Sequence, residues 1–141
     1  MTNNNRLRCI FLCLLLITLS CDDEASEECS GTLCPFVGNW QLNEVTIDGS
    51  EGTGDYSGYR LNLLKPDGDE TSADYTRTFG NDQNDSGSWT VTNNNDVIVL
   101  TTDGEEEEYI IVASGSNQLI LVLHRESTKP GPAEIRYVFT K

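Results

Sequence analysis

Basic residues and histidine are scarce in this chain. Nine Lys and Arg stand against 23 Asp and Glu, a formal net charge of −14 over 141 residues. A surface of that sign repels phosphate backbones, which argues against nucleic acid as a partner. The one histidine, His124, ends the apolar run "LILVLHR" and reads as a solvated strand end. No serine or cysteine sits in a nucleophile elbow or beside a candidate base. A carboxylate pair for glycoside hydrolysis could be drawn from the many acids, yet no spacing selects one pair. From Gly38 onward no segment keeps a helical period. No catalytic residue, metal site or cofactor is therefore expected, and the chain reads as a non-enzyme.

What is present begins with a leader. Arg6 and Arg8 precede an apolar run from Ile10 to Leu19, about ten residues where a bilayer-spanning helix needs about twenty. That pattern predicts a removed export signal over residues 1–20. Ser20 supplies the small residue before Cys21. The segment resembles the lipobox of bacterial lipoproteins, with Thr18 where that family usually has Leu. The resemblance implies acyl chains on Cys21, and more than one chain makes anchoring stable. Ordinary secretion with Cys21 as a thiol is the alternative. Asp22, Asp23 and Glu24 follow at once. They resemble the surface-export signal of Bacteroidota lipoproteins, which implies lipid anchoring in the outer membrane with exposure at the cell surface. In enteric bacteria an aspartate here would instead resemble an inner-membrane retention signal.

Removing residues 1–20 from 141 leaves 121, enough for one domain. Loss of Arg6 and Arg8 carries the net charge from −14 to −16. Residues 21–35 read as an acidic tether containing "CSGTLC". Cys29 and Cys34 predict a short disulfide loop, which suits an oxidising compartment. Half of a zinc site is the alternative, but the remaining ligands are missing. "PDGDE" and "NDQNDSG" are dense in Asp, Asn and Gly as calcium loops are, without the EF-hand order. Hairpin turns use the same residues. "EEEE" (Glu105 to Glu108) reads as a solubilising strand entrance.

Short β-branched and aromatic segments fill the rest, and strands are predicted at about 38–47, 57–65, 71–80, 86–92, 96–102, 107–114, 118–125 and 133–140. "TNNNDV" and "TDGE" supply left-handed residues for hairpins, and "KPDGDE" and "TKPGPA" also read as turns. Eight strands in sequence make an antiparallel meander, and closing it into an up-and-down barrel hides both edges. The predicted inner face is Trp89 and Val91, Val97 and Val99, Tyr109, Ile111 and Ala113, Leu119, Leu121 and Leu123, and Ile135, Tyr137 and Phe139. A two-sheet sandwich would use the same alternation.

"FVGNWQLNEV" resembles the Gly-x-Trp opening of lipocalins, and "YRLNLLKPDGDET", "GSWTVTNNNDVIVLTT" and "NQLILVL" resemble the lipocalin-like domains of Bacteroidota lipoproteins. The resemblance spans residues 36–141 and implies an all-β, eight-stranded lipocalin-like barrel. It places Trp40 as a plug at the closed end over Phe36 and Val37. It also implies an arginine over that indole, for which Arg136 is the candidate and Arg125 a second possibility.

Alternation on "SADYTRTFG" puts Ala73, Tyr75, Arg77 and Phe79 on one face. If that face is inward, Arg77 is a cation inside a barrel and needs a partner: a carboxylate, water or an anionic ligand. In the opposite register it lies outside. Tyr109 and Tyr137 would add polar tips to an apolar cavity, although a small barrel can be filled by its own side chains. The expectation is a ligand-binding site at Tyr75, Arg77, Tyr109 and Tyr137 for a small apolar or amphipathic molecule. An interaction module that contacts an envelope protein partner is the alternative, and a hydrolase or isomerase using rim acids is the third reading.

Overall fold

The computed structural model describes residues 29–68, 71–126, 131 and 133–141, leaving aside the side chains of Asp55 and Asn93. Cys21, the leader and the acidic cluster lie outside them, as do Asp69, Glu70 and most of "TKPGPA".

Nine strands are present among the described residues: β1 (Gly38–Ile47), β2 (Ser50–Glu51), β3 (Arg60–Leu63), β4 (Ser72–Thr78), β5 (Asn84–Thr92), β6 (Val97–Thr102), β7 (Glu105–Ser114), β8 (Gln118–Arg125) and β9 (Ala133–Thr140). Every sequential pair from β3 to β9 is antiparallel. The first strand closes the ring. Its start pairs with β3, from Gly38↔Leu63 to Gln41↔Arg60, and its later part with β9, from Gln41↔Thr140 to Ile47↔Ile135. Eight strands thus form a barrel without a free edge, and β2 is a two-residue hairpin return beside β1. Closure decides against the sandwich.

The turns form where small polar residues tolerate positive φ. Asp103 and Gly104 lie at 52° and 87° in "TDGE", and Asn94 and Asn95 at 57° and 73° in "TNNNDV". Both are the left-handed pairs that two-strand connections require. The predicted strand over 57–65 shrinks to Arg60–Leu63, because the chain first makes a 3-10 turn at Thr53–Tyr56. Conversely β7 begins at Glu105, so "EEEE" is part of the strand itself.

One continuous core fills the barrel, from Leu33, Phe36 and Trp40 through Tyr75, Trp89 and Leu121 to Tyr109 and Tyr137. Two expectations about the inner face fail. On β6 the inward residues are Ile98 and Leu100, while Val97 and Val99 point outward. "VIVL" is apolar at every position, so its own pattern cannot set the register. Ala113 is exposed because the β7–β8 register shifts between Ile111 and Ala113, a bulge that resets the alternation.

The start of β1 and the end of β9 lie at one end, which is closed. The Trp40 indole has no solvent exposure and donates from Nε1 to the Phe36 carbonyl at 2.7 Å. Leu33 and Phe36 are buried there, with Val37 partly so. The predicted disulfide joins Cys29 to Cys34 with Cα atoms 5.5 Å apart, just before this plug. The cation over Trp40 is neither predicted arginine. Lys141 places Nζ 4.2 Å from the ring centroid and donates to the Val37 carbonyl at 2.8 Å. Arg136 alternates with the inward Ile135 and Tyr137 and so lies on the outer face. Arg125, at the other end of β8, pairs with Glu107 at 3.1 Å.

Candidate binding site at the barrel mouth

The open end is built from the ends of β4 and β8 and the starts of β5, β7 and β9. Strand β4 alternates as read from sequence, with Ala73, Tyr75 and Arg77 inward and the residues between them exposed. Arg77 is therefore a barrel-interior cation, 8% exposed.

Its partners come from the protein. Asp85 stands directly across the β4–β5 pair from Arg77. Arg77 Nε donates to Asp85 Oδ1 at 3.0 Å and Nη2 to Oδ2 at 2.5 Å. Nη1 donates to Glu107 Oε2 at 2.5 Å and to the Tyr109 hydroxyl at 3.0 Å. Tyr109 in turn donates to the same Glu107 oxygen at 3.1 Å, and Arg125 Nη2 to Oε1 at 3.1 Å. Two carboxylates thus hold one guanidinium in a bidentate and a monodentate contact, the geometry that offsets desolvation.

The proton affinities follow. Burial opposes the Arg77 charge, but the hydrogen bond to Asp85 leads the effects that outweigh it, so the guanidinium stays protonated. Burial would raise Glu107, yet the bond and charge of Arg77 hold its carboxyl below the ordinary value. Burial pushes Tyr59 up to about 12 and Tyr109 well above the usual phenol range. Tyr137 is raised too, by burial first and then by its tyrosine neighbours. All are neutral hydroxyls at physiological pH.

Of the predicted site residues, the structure joins Arg77 to Tyr109 directly and sets the Tyr137 ring 6.0 Å from that of Tyr109. Tyr75 is buried, and its hydroxyl bonds to that of Thr102, a residue that lines the acidic hollow with Arg77. None of the four lines the main cleft, and Arg77 lines the acidic hollow beside it. The concave surface above them is a cleft of about 530 Å³ with Tyr56, Tyr59 and Phe79 among its walls, and with Asn81 and Gln83 at its rim. The rings interlock: Tyr59 meets Phe79 edge to face at 5.6 Å, Tyr56 meets Tyr137 likewise at 5.8 Å, and Tyr59 stacks on Tyr137 at 6.0 Å. Arg77 lies 5.0 Å from the Phe79 centroid.

Local backbone bonds position these rings. The turn that carries Tyr56 is tied to β1, since Gly52 N donates to the Val45 carbonyl at 2.9 Å and Val45 N to Thr53 Oγ1 at 3.0 Å. The β4–β5 hairpin closes with Phe79 N on the Gln83 carbonyl at 2.8 Å and Asp82 at φ 60°. The two segments touch at Gly80, where a Cβ would collide with the Ser57 carbonyl. Tyr56 and Tyr59 were not singled out from sequence, because residues from 57 onward read as strand. The glycines of "GTGDYSGY" are the signal that an aromatic-bearing loop, not a strand, stands there. Asp85 and Glu107 were also missed.

Around the network, Asp85, Asp103, Glu105 and Glu107 line a second, acidic hollow with Arg77. Among the described residues no three of His, Cys, Asp and Glu converge as a metal-holding group. His124 is exposed at the end of β8, opposite Glu134.

Comparison with known proteins agrees with this architecture. No curated protein matches the chain. Among solved structures, bovine odorant-binding protein in complex with a selenium-containing odorant superposes with a TM-score of 0.52 at 15% identity, covering 82% of this chain and 75% of that one. At that identity the likeness is one of fold. A family model described as "Lipocalin-like domain" matches residues 36–121, more than half of the sequence, and the chain belongs to that lipocalin-like family.

Proposed function

We propose that the mature protein is a non-enzymatic binding protein, held on the outer face of the outer membrane by acyl chains on Cys21, and that it takes a small amphipathic molecule at the barrel mouth. The observation that carries the reading is the cleft walled by Tyr56, Tyr59 and Phe79. Its volume of about 530 Å³ falls within the roughly 300–1,000 Å³ of small-molecule sites. The inner side chains pack into one cluster beneath it, so the ligand sits on the mouth rather than deep in the barrel. The odorant complex of the bovine protein supports a small-ligand role on this fold.

Native mass spectrometry of the mature lipoprotein, purified gently from its own envelope, tests the binding. A discrete added mass that is lost in Phe79→Ala is expected. A bare polypeptide mass in both proteins would overturn the reading. Anchoring is tested separately: Cys21→Ser should release the protein from the membrane fraction and abolish palmitate labelling.

A second reading is favoured by one feature. The outer face of β6–β9 exposes Ile110 and Val112, at 42% and 54%, beside Val97, Val99, Ile120, Val122 and Val138, which are themselves buried. A stripe of that kind suits an envelope protein partner. Stoichiometric recovery of one protein with the wild type, but not with Val112→Asp, is the outcome that reading requires.

A further inference from the structure

The chemistry of the mouth cleft narrows what it can take. This step rests on the binding role proposed above. Arg77, the buried cation beside the cleft, is already held by Asp85 and Glu107 at 2.5 Å each. An anionic ligand would have to break those pairs and enter a chain of net charge −14, so negative charge is selected against. A cationic ligand meets the opposite obstacle. Arg77 already lies 5.0 Å from the Phe79 ring, and a second cation on that ring would face the first across it.

Among the described residues the lining is uncharged: the Tyr56, Tyr59 and Phe79 rings, the Ser57 hydroxyl and the Asn81 and Gln83 amides. Phe79 and Tyr56 are half-buried, whereas Asn81 and Gln83 are exposed. The cleft thus has an aromatic wall and a wet, amide-bearing rim. A flexible hydrocarbon chain would leave much of its surface in water there. A rigid ring with one C–H face and peripheral hydroxyls uses both halves, because aliphatic C–H groups carry a weak positive charge that suits the negative face of an aromatic ring. Hydroxyls that accept and donate find both functions in amide side chains.

We infer that the cleft takes an uncharged, hydroxyl-bearing ring, a pyranose unit of a saccharide, stacked on the half-buried Tyr56 and Phe79 rings, which the buried Tyr59 backs, and hydrogen-bonded by Asn81 and Gln83. The experiment is a calorimetric and NMR titration of the mature chain. The probes are methyl glycosides of the common hexopyranoses and 2-acetamido-hexopyranoses, oligosaccharides of the same units, and the neutral apolar probe N-phenyl-1-naphthylamine. The expected result is saturable binding of at least one glycoside with Kd of about 1 mM or tighter. Binding should weaken about tenfold or more in Phe79→Leu and in Gln83→Ala, the second lying at an exposed rim where folding is not at stake. Tighter binding of the oligosaccharides would identify the source as a glycan, and equal binding a free sugar. If the naphthylamine binds and is displaced by no glycoside, the binding role stands and the saccharide inference falls. If neither probe class binds and native mass spectrometry shows a bare chain, both fall together.

Discussion

At the closed end the barrel is sealed by Trp40, Leu33 and Phe36, side chains with almost no exposure and a single indole hydrogen bond. At the mouth, the interior is filled by Arg77, Asp85, Glu107 and tyrosine hydroxyls, under a cleft that stays open. The closed end is apolar packing with one lysine laid over it, which gives stability and nothing to recognise. The mouth spends interior volume on a charge network whose burial is costly unless every member is paired. The gain is a fixed platform: Arg77 is held from three sides and in turn lies against Phe79.

The largest effect should come from the closed end. Trp40→Ala removes a fully buried indole and leaves the Phe36 carbonyl without its donor. A loss of about 3–5 kcal/mol in urea unfolding is expected, with ligand binding at the mouth kept wherever the chain is folded. Next comes Arg77→Met. It leaves two carboxylates facing each other without their cation, at a cost of about 2–3 kcal/mol because both are partly solvated. Adding Asp85→Asn and Glu107→Gln should restore most of the loss. If Arg77→Met alone were neutral, the mouth would owe nothing to its charges. The third is the disulfide: Cys29→Ser with Cys34→Ser should cost about 2 kcal/mol on the loop-entropy model and leave the mouth unchanged.

The barrel was legible because alternation recurs in most strands and the turn residues are unambiguous. Alternation set Tyr109 and Tyr137 on the inner face and put Tyr75 with Arg77 on one face of their strand, but it left open whether that face was inward, as the structure has it. Register failed on β6, where "VIVL" offers no polar residue to mark the outer face, and past Ile111, where a bulge is silent in the sequence. The Arg77 partners were within reach. Asp85 lies on the Trp89 face of its strand and Glu107 on the Tyr109 face, each at even spacing, but both stood in acidic runs that read as solvent-exposed. The cation over Trp40 was not legible, since alternation removes Arg136 and only closure of β1 on β9 brings Lys141 there.

The smallest effect distinguishes the two ends most cleanly, because it depends on pH. The Glu107 carboxyl is held below its ordinary value of 4.5; burial opposes this, and the bond and charge of Arg77 prevail. A depressed carboxyl contributes stability that is fully present above the unfolded value and is lost as pH falls through the folded one. With Glu107 30% exposed, solvent screening keeps that contribution to less than about 1 kcal/mol. The stability gap between wild type and Glu107→Gln should therefore be widest above about pH 5 and shrink on acidification toward pH 3. The gap between wild type and Trp40→Ala should hold constant over the same range, because the indole carries no titrating proton and its one hydrogen bond goes to a neutral backbone carbonyl. Urea titrations of the three proteins at matched ionic strength measure both gaps, and parallel curves would mean that Glu107 is not held by Arg77 in the way the geometry requires.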